Sequence, residues 1–71
     1  MTTLSEIKHY LAEHGVEIQP KLNGETYRAV RYNGERDERN IEIIWDNTAD
    51  DYATDPDAVA EYAYDILTEN A

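Results

Sequence analysis

Two Asn-Gly pairs, Asn23-Gly24 and Asn33-Gly34, constrain the fold of this chain more than any other feature. A tight type I′ hairpin needs positive φ at both central residues, which asparagine and glycine tolerate, so Asn23-Gly24 predicts such a turn between antiparallel strands, and Asn33-Gly34 ends the strand that follows. The flanking segments carry the matching period of two. Val16, Ile18 and Leu22 share one parity before the first pair. Thr26, Tyr27, Val30 and Tyr32 enrich the middle segment in β-favouring residues, and Ile41, Ile43 and Trp45 alternate after the second pair. Strands are therefore expected near residues 16–22, 25–32 and 40–46, with the Ile41, Ile43 and Trp45 side facing the core. Pro20 cannot donate to a ladder, which makes the first strand an edge. The run Glu35-Arg36-Asp37-Glu38-Arg39 alternates in sign and reads as the solvated tip of the second hairpin.

Helices are expected at both ends. Thr3 and Glu6 have capping-box spacing, Leu4, Ile7, Leu11 and His14 recur at three and four residues with Tyr10 beside them, and Gly15 supplies a terminator, predicting a helix over 4–14. Asp55-Pro56 places an N-cap before a proline at the first helical position, and Asp57 follows in the first turn. Val59, Ala63, Ile66 and Leu67 then form the apolar stripe of a helix over 56–69, reached through a polar loop over 47–54. The predicted class is α+β, in the order α-β-β-β-α: a three-stranded antiparallel meander with two helices packed on it. The 71 residues make one domain, 1–71, and a chain of this size buries only about 60% of the surface its unfolded form exposes.

Several function classes are poorly served by these residues. The absence of cysteine leaves no disulfide framework, thiolate metal cluster or thiol nucleophile, and favours a cytoplasmic home. The first residues have neither a basic start nor an apolar run, and no stretch approaches a membrane span, so a soluble, unprocessed chain is expected. His9 and His14 lie five apart, off the four-residue spacing that shares a metal; His14 is expected at the helix carboxyl end and His9 in solvent. A calcium loop starting at Asp46 would need glycine at its sixth position and glutamate at its twelfth, where the chain has Asp51 and Asp57. Gly15, Gly24 and Gly34 are each used by a helix end or a turn, leaving no phosphate cradle. Catalysis by paired carboxylates needs a cleft, which a two-layer domain of this size seldom encloses. No metal, cofactor or enzymatic activity is expected.

The charge distribution carries the positive signal. Net charge is -10, from 16 acidic and six basic residues, yet Lys8, Lys21, Arg28, Arg31, Arg36 and Arg39 all lie in the first 39 positions beside seven acids. Residues 40–71 hold Glu42, Asp46, Asp50, Asp51, Asp55, Asp57, Glu61, Asp65 and Glu69, with no lysine or arginine. Asp57, Glu61 and Asp65 recur at four-residue spacing, so they line one helix face about 6 Å apart, and since such like-charge pairs destabilise a helix, one selected for stability alone would have mixed signs here. With Glu42, Asp46, Asp50 and Asp51, and with Tyr52, Tyr62 and Tyr64 among them, the row predicts a partner-binding surface made of Glu42, Asp46, Asp50, Asp51, Tyr52, Asp57, Glu61, Tyr64 and Asp65. Such a field repels nucleic acid and anionic membrane and steers basic surfaces toward it.

Small size, the absence of cysteine, the helix-meander-helix order and the acidic segment from Asp46 to Asp65 with Tyr52, Tyr62 and Tyr64 give the chain a resemblance to small acidic phage and mobile-element proteins. That class includes anti-CRISPR and anti-restriction proteins, some of them DNA mimics. The resemblance implies a viral inhibitor of host defence that acts in the host cytoplasm and blocks DNA access to a basic nuclease or CRISPR effector complex, binding no nucleic acid itself. The class shares no motif, so no residue is carried over. Duplex DNA bears a charge every 1.7 Å or so, and the helix row alone is sparser, so the loop acids must contribute. The element order also resembles the double-stranded-RNA-binding domain, but that family needs lysines where this chain has Asp55 and Asp57. An immunity protein or antitoxin that neutralises a basic nuclease would use the same electrostatics, while an acidic adaptor, or a protein of a salt-adapted organism, would spread its acids over all faces. Apolar residues on the second sheet face, such as Ile44, would admit a homodimer.

Overall fold

The computed structural model of the chain describes residues 2–22 and 24–69. Helix α1 (Leu4–Glu13) is followed by strands β1 (Val16–Pro20), β2 (Tyr27–Tyr32) and β3 (Ile41–Trp45) and by helix α2 (Pro56–Glu69). The strands form one antiparallel sheet in the order β1-β2-β3. The predicted α+β meander is the observed one.

Local chemistry explains the helix boundaries. The Thr3 hydroxyl accepts the Glu6 N–H at 3.2 Å, capping α1. At its other end the His14 ring meets the Tyr10 carbonyl through Nδ1 at 2.8 Å, and Gly15 follows at φ +72°. Helix α2 starts as the sequence indicated: Asp55 accepts the Asp57 N–H at 3.0 Å, and Pro56 occupies the first helical position.

Both helices lie on one face of the sheet. Ile7 and Leu11 from α1, Val16, Ala29 and Trp45 from the strands, Ala53 from the loop, and Val59, Ala60 and Ala63 from α2 form a single buried cluster. The small alanines let α2 lie close across all three strands, while α1 packs against β1 and α2. Tyr10 is sandwiched between His14, stacked at 4.1 Å, and Tyr64, edge-on at 5.1 Å.

Two strand expectations are corrected. The alternation of Ile41, Ile43 and Trp45 does not define one face, because β3 pairs Trp45 with Ala29 and Ile43 with Val30, consecutive residues of β2, leaving Ile44 as the extra residue of a bulge. A bulge reverses parity. Trp45 and Ile44 therefore serve the helix-covered core, whereas Ile41 and Ile43 share the opposite face with Val30, and Ile43 is 49% exposed. Ile44 is thus not a second-face residue. The first hairpin is also wider than a two-residue turn. Gly24 donates to Lys21 and Lys21 donates to Thr26, both at 2.9 Å, so β2 begins at Tyr27 and Leu22 projects fully into solvent. The Asn23 half of that turn lies outside the described residues.

The second face carries a polar layer over Val30, which is itself fully buried. Gln19 donates to the Tyr32 hydroxyl at 2.8 Å. Arg36 from the second hairpin folds back to grip both Glu17 oxygens at 2.6 and 2.7 Å, with its guanidinium 5.3 Å from the Tyr32 ring centre. The charged hairpin is thus exposed in part and tied down in part, with Glu38 reaching Arg28 at 3.3 Å.

Candidate acidic surface

Every lysine and arginine of the chain is engaged in an ion pair. Lys8 reaches Asp57 at 3.1 Å, Lys21 reaches Asp46 at 2.7 Å, Arg28 reaches Glu38 at 3.3 Å, Arg31 reaches Glu42 at 2.8 Å, Arg36 reaches Glu17, and Arg39 reaches Asp37 at 3.0 Å. Three residues of the sequence-predicted surface are therefore already neutralised: Glu42, Asp46 and Asp57. The sequence showed no cation within the second half, but folding brings Lys8, Lys21 and Arg31 from the first half beside them.

Six acids of the second half, Asp50, Asp51, Asp55, Glu61, Asp65 and Glu69, have no cationic partner among the described residues and are exposed, as are Glu6 and Glu35 of the first half. Glu61, Asp65 and Glu69 continue the four-residue spacing along the outer side of α2, and Asp50, Asp51 and Asp55 lie in the loop that leads into it. Asp55 and Glu69 extend the expected row. The legible signals were an N-cap aspartate and a fourth member of the four-residue series.

The aromatic residues divide differently from the expectation. Tyr52 is 61% exposed and stands in the acidic loop. Tyr62 is at the surface, its ring stacked on Trp45 at 4.9 Å, so it is held flat beside Glu61. Tyr64 is half-buried against the core and against Tyr10, and its ring supports α1 rather than standing in solvent.

The loop that carries half of these acids is pinned by one side chain. Asn47 donates through Nδ2 to the Tyr27 carbonyl at 3.0 Å and accepts through Oδ1 the N–H of the buried Ala53 at 2.8 Å, bridging the sheet to the end of the loop. The Thr48 hydroxyl accepts the Asp51 N–H at 3.0 Å inside that span. Asp46 anchors its start: one carboxylate oxygen takes both the Lys21 ammonium and the Asn47 N–H at 2.7 Å. Partial burial pushes the Asp46 carboxyl up, but the hydrogen bonds from Lys21 and Asn47 and the positive charges of Lys21 and Arg28 outweigh it and hold the group below the usual aspartate range. Asp46 is thus an anchor of the loop.

His9 is exposed and pairs with Glu13 at 3.0 Å, one turn away. Among the described residues, no three His, Cys, Asp or Glu side chains stand together as a metal site, and no helix is long and apolar enough to cross a membrane. Against known proteins, the chain matches no family model, and neither a curated protein nor a solved structure matches it.

Proposed function

We propose that the chain is a binding module that occupies a basic, nucleic-acid-binding surface of another protein and so denies it to DNA, as an anti-CRISPR or anti-restriction inhibitor would in a host cytoplasm. The observation that carries this reading is the clustering of the unpaired acids: the six cations are spent on acids of the sheet, the hairpins and the start of α2, while six of the exposed acids without an ion pair, Asp50, Asp51, Asp55, Glu61, Asp65 and Glu69, line one loop and one helix face, with Glu6 and Glu35 lying apart. Exposed Tyr52 and the stacked Tyr62 add flat side chains of the kind that anchor interfaces. A surface selected for solubility alone would mix its signs.

The partner is a cationic protein groove, such as that of a CRISPR effector complex or a restriction nuclease, and neither a metal nor a cofactor is called for. The test is DNA occupancy, by mobility shift, of a panel of such complexes with and without the chain. At least one complex should lose its DNA. Neutralising Asp50, Asp51, Glu61 and Asp65 to their amides should weaken that inhibition about tenfold or more, since each exposed ion contact is worth roughly 0.2–1 kcal/mol. Undiminished inhibition by the neutralised variant would overturn the reading, as would unchanged occupancy across the panel. A nuclease toxin outside that panel that is neutralised through the same residues would move the assignment to an immunity protein.

A further inference from the structure

We propose that Asn33 is a site of spontaneous deamidation, and that the fold directs this chemistry to Asn33 rather than to its sequence twin Asn23. This is independent of the acidic-surface reading and uses the second hairpin. In the reaction the backbone nitrogen that follows an asparagine loses its proton and attacks the carbonyl carbon of that asparagine's side chain. A C–N bond forms, the side-chain nitrogen leaves as ammonia, and a five-membered succinimide ring results. Water then opens the ring at one of its two carbonyls. Attack at the side-chain carbonyl gives aspartate, and attack at the backbone carbonyl gives isoaspartate, in which the main chain runs through the former side chain. Water is the sole co-reactant, and nothing is oxidised or reduced. The step is fastest where the asparagine amide is free, the following N–H has no acceptor, and no side chain shields that nitrogen, a condition glycine meets best.

The fold sorts the five asparagines of the chain. Asn40 donates through Nδ2 to the Glu35 carbonyl at 2.9 Å, and both ends of the Asn47 amide are held, by Tyr27 and Ala53. Each precedes a β-branched residue, Ile41 or Thr48, that crowds the attacking nitrogen. Asn70 lies outside the described residues. Two Asn-Gly pairs remain, and both read Asn-Gly-Glu, so the residues that follow do not separate them. Their glycine amides do. Gly24 donates its N–H to the Lys21 carbonyl at 2.9 Å, a bond that must break before its nitrogen can attack. The Gly34 N–H meets no acceptor among the described residues, and the Asn33 side chain makes no hydrogen bond there either. Room is not the difference, since neither glycine has an atom within 4 Å of where a side chain would begin. Asn33 and Gly34 are both exposed, which gives water access to the ring. Conversion adds a carboxylate beside the charged hairpin. The isoaspartyl form also inserts one more main-chain carbon between β2 and Arg36, the residue that grips Glu17.

The test is to hold the intact chain warm at mildly alkaline pH for days and to follow each asparagine by peptide mapping with mass spectrometry. Asn33 should gain the mass of NH2 exchanged for OH several times faster than Asn23, and more than tenfold faster than Asn40 or Asn47. Part of the product should be isoaspartate, read as methyl uptake with an isoaspartyl methyltransferase. In concentrated urea the fold no longer acts, so Asn23 and Asn33 should convert at rates within twofold of each other. Asn33→Gln, which would have to close a larger ring, should remove the fast conversion while leaving the circular dichroism spectrum and the slower reaction at Asn23 unchanged. A folded chain in which Asn23 converts as fast as Asn33, or in which neither converts, would overturn the proposal. So would a preference for Asn33 that persists undiminished in urea, since the fold would then not be its cause.

Discussion

Asn47→Ala removes both arms of the clamp between the sheet and the acidic loop. The substitution leaves two backbone groups without partners: the N–H of Ala53, a residue only 5% exposed, and the carbonyl of Tyr27. A buried polar group left unsatisfied costs about 1–3 kcal/mol, and the loop side of this pair can partly rehydrate, so the expected loss is about 2–4 kcal/mol. A small domain has on the order of 5 kcal/mol to lose, and each kcal/mol is worth about 4–8 °C in melting temperature at this size. Asn47→Ala should therefore lower Tm by about 8–32 °C. Urea denaturation is the assay, and the midpoint should fall with the slope unchanged. Asn47→Asp provides the companion measurement: it keeps an acceptor for Ala53 but sets a carboxylate against the Tyr27 carbonyl, so it should be no better tolerated. A loss below about 0.5 kcal/mol for Asn47→Ala would refute the clamp, since that is what an unremarkable surface change costs.

Val59→Ala, at a fully buried position of α2, should cost about 2 kcal/mol by thermal or urea denaturation, while Leu22→Ala should fall within about 0.5 kcal/mol of zero, because that leucine touches only solvent. Asp46 has its folded-state pKa below the ordinary carboxylate value, so it contributes stability above that ordinary value, about 3.9, and the contribution is lost as pH falls through the lower folded value. Asp46→Asn should accordingly flatten the acid limb of a stability-versus-pH curve and leave its neutral and alkaline parts parallel to the parent. Thr3→Ala removes the cap of α1 and should cost about 1 kcal/mol in the same measurements. Binding of a basic partner to the acidic surface should weaken steeply between low and physiological salt, and a flat salt response would point to an apolar contact instead.

Elements whose signals are local were legible in the sequence. The Asp55-Pro56 start of α2, the Thr3 cap and the end of β2 just before Asn33-Gly34 each depend on residues within a few positions of one another, and each is realised close to its expected place. What escaped was set by groups distant in the chain. The bulge at Ile44 has no mark in the run Ile41 to Trp45, since either parity buries an isoleucine, and it is the pairing with Ala29 and Val30 that decides. The ion pairs of Asp57 with Lys8 and of Asp46 with Lys21 span dozens of residues, so an acidic row counted along α2 included members that the fold neutralises. Asn47 gave no signal beyond being polar in a polar loop, because its role lies in two backbone groups, one of them in β2.

The complete pairing of the cations has a mechanical consequence. With cations of the sheet paired off, as Arg36 is with Glu17, and six of the bare carboxylates gathered on α2 and the loop before it, the negative charge is spread unevenly over the molecule, as in an electric dipole. Near a positive surface such a dipole feels a torque as well as a pull. The domain would turn during its approach and arrive with α2 leading, so that fewer collisions are wasted in the wrong orientation.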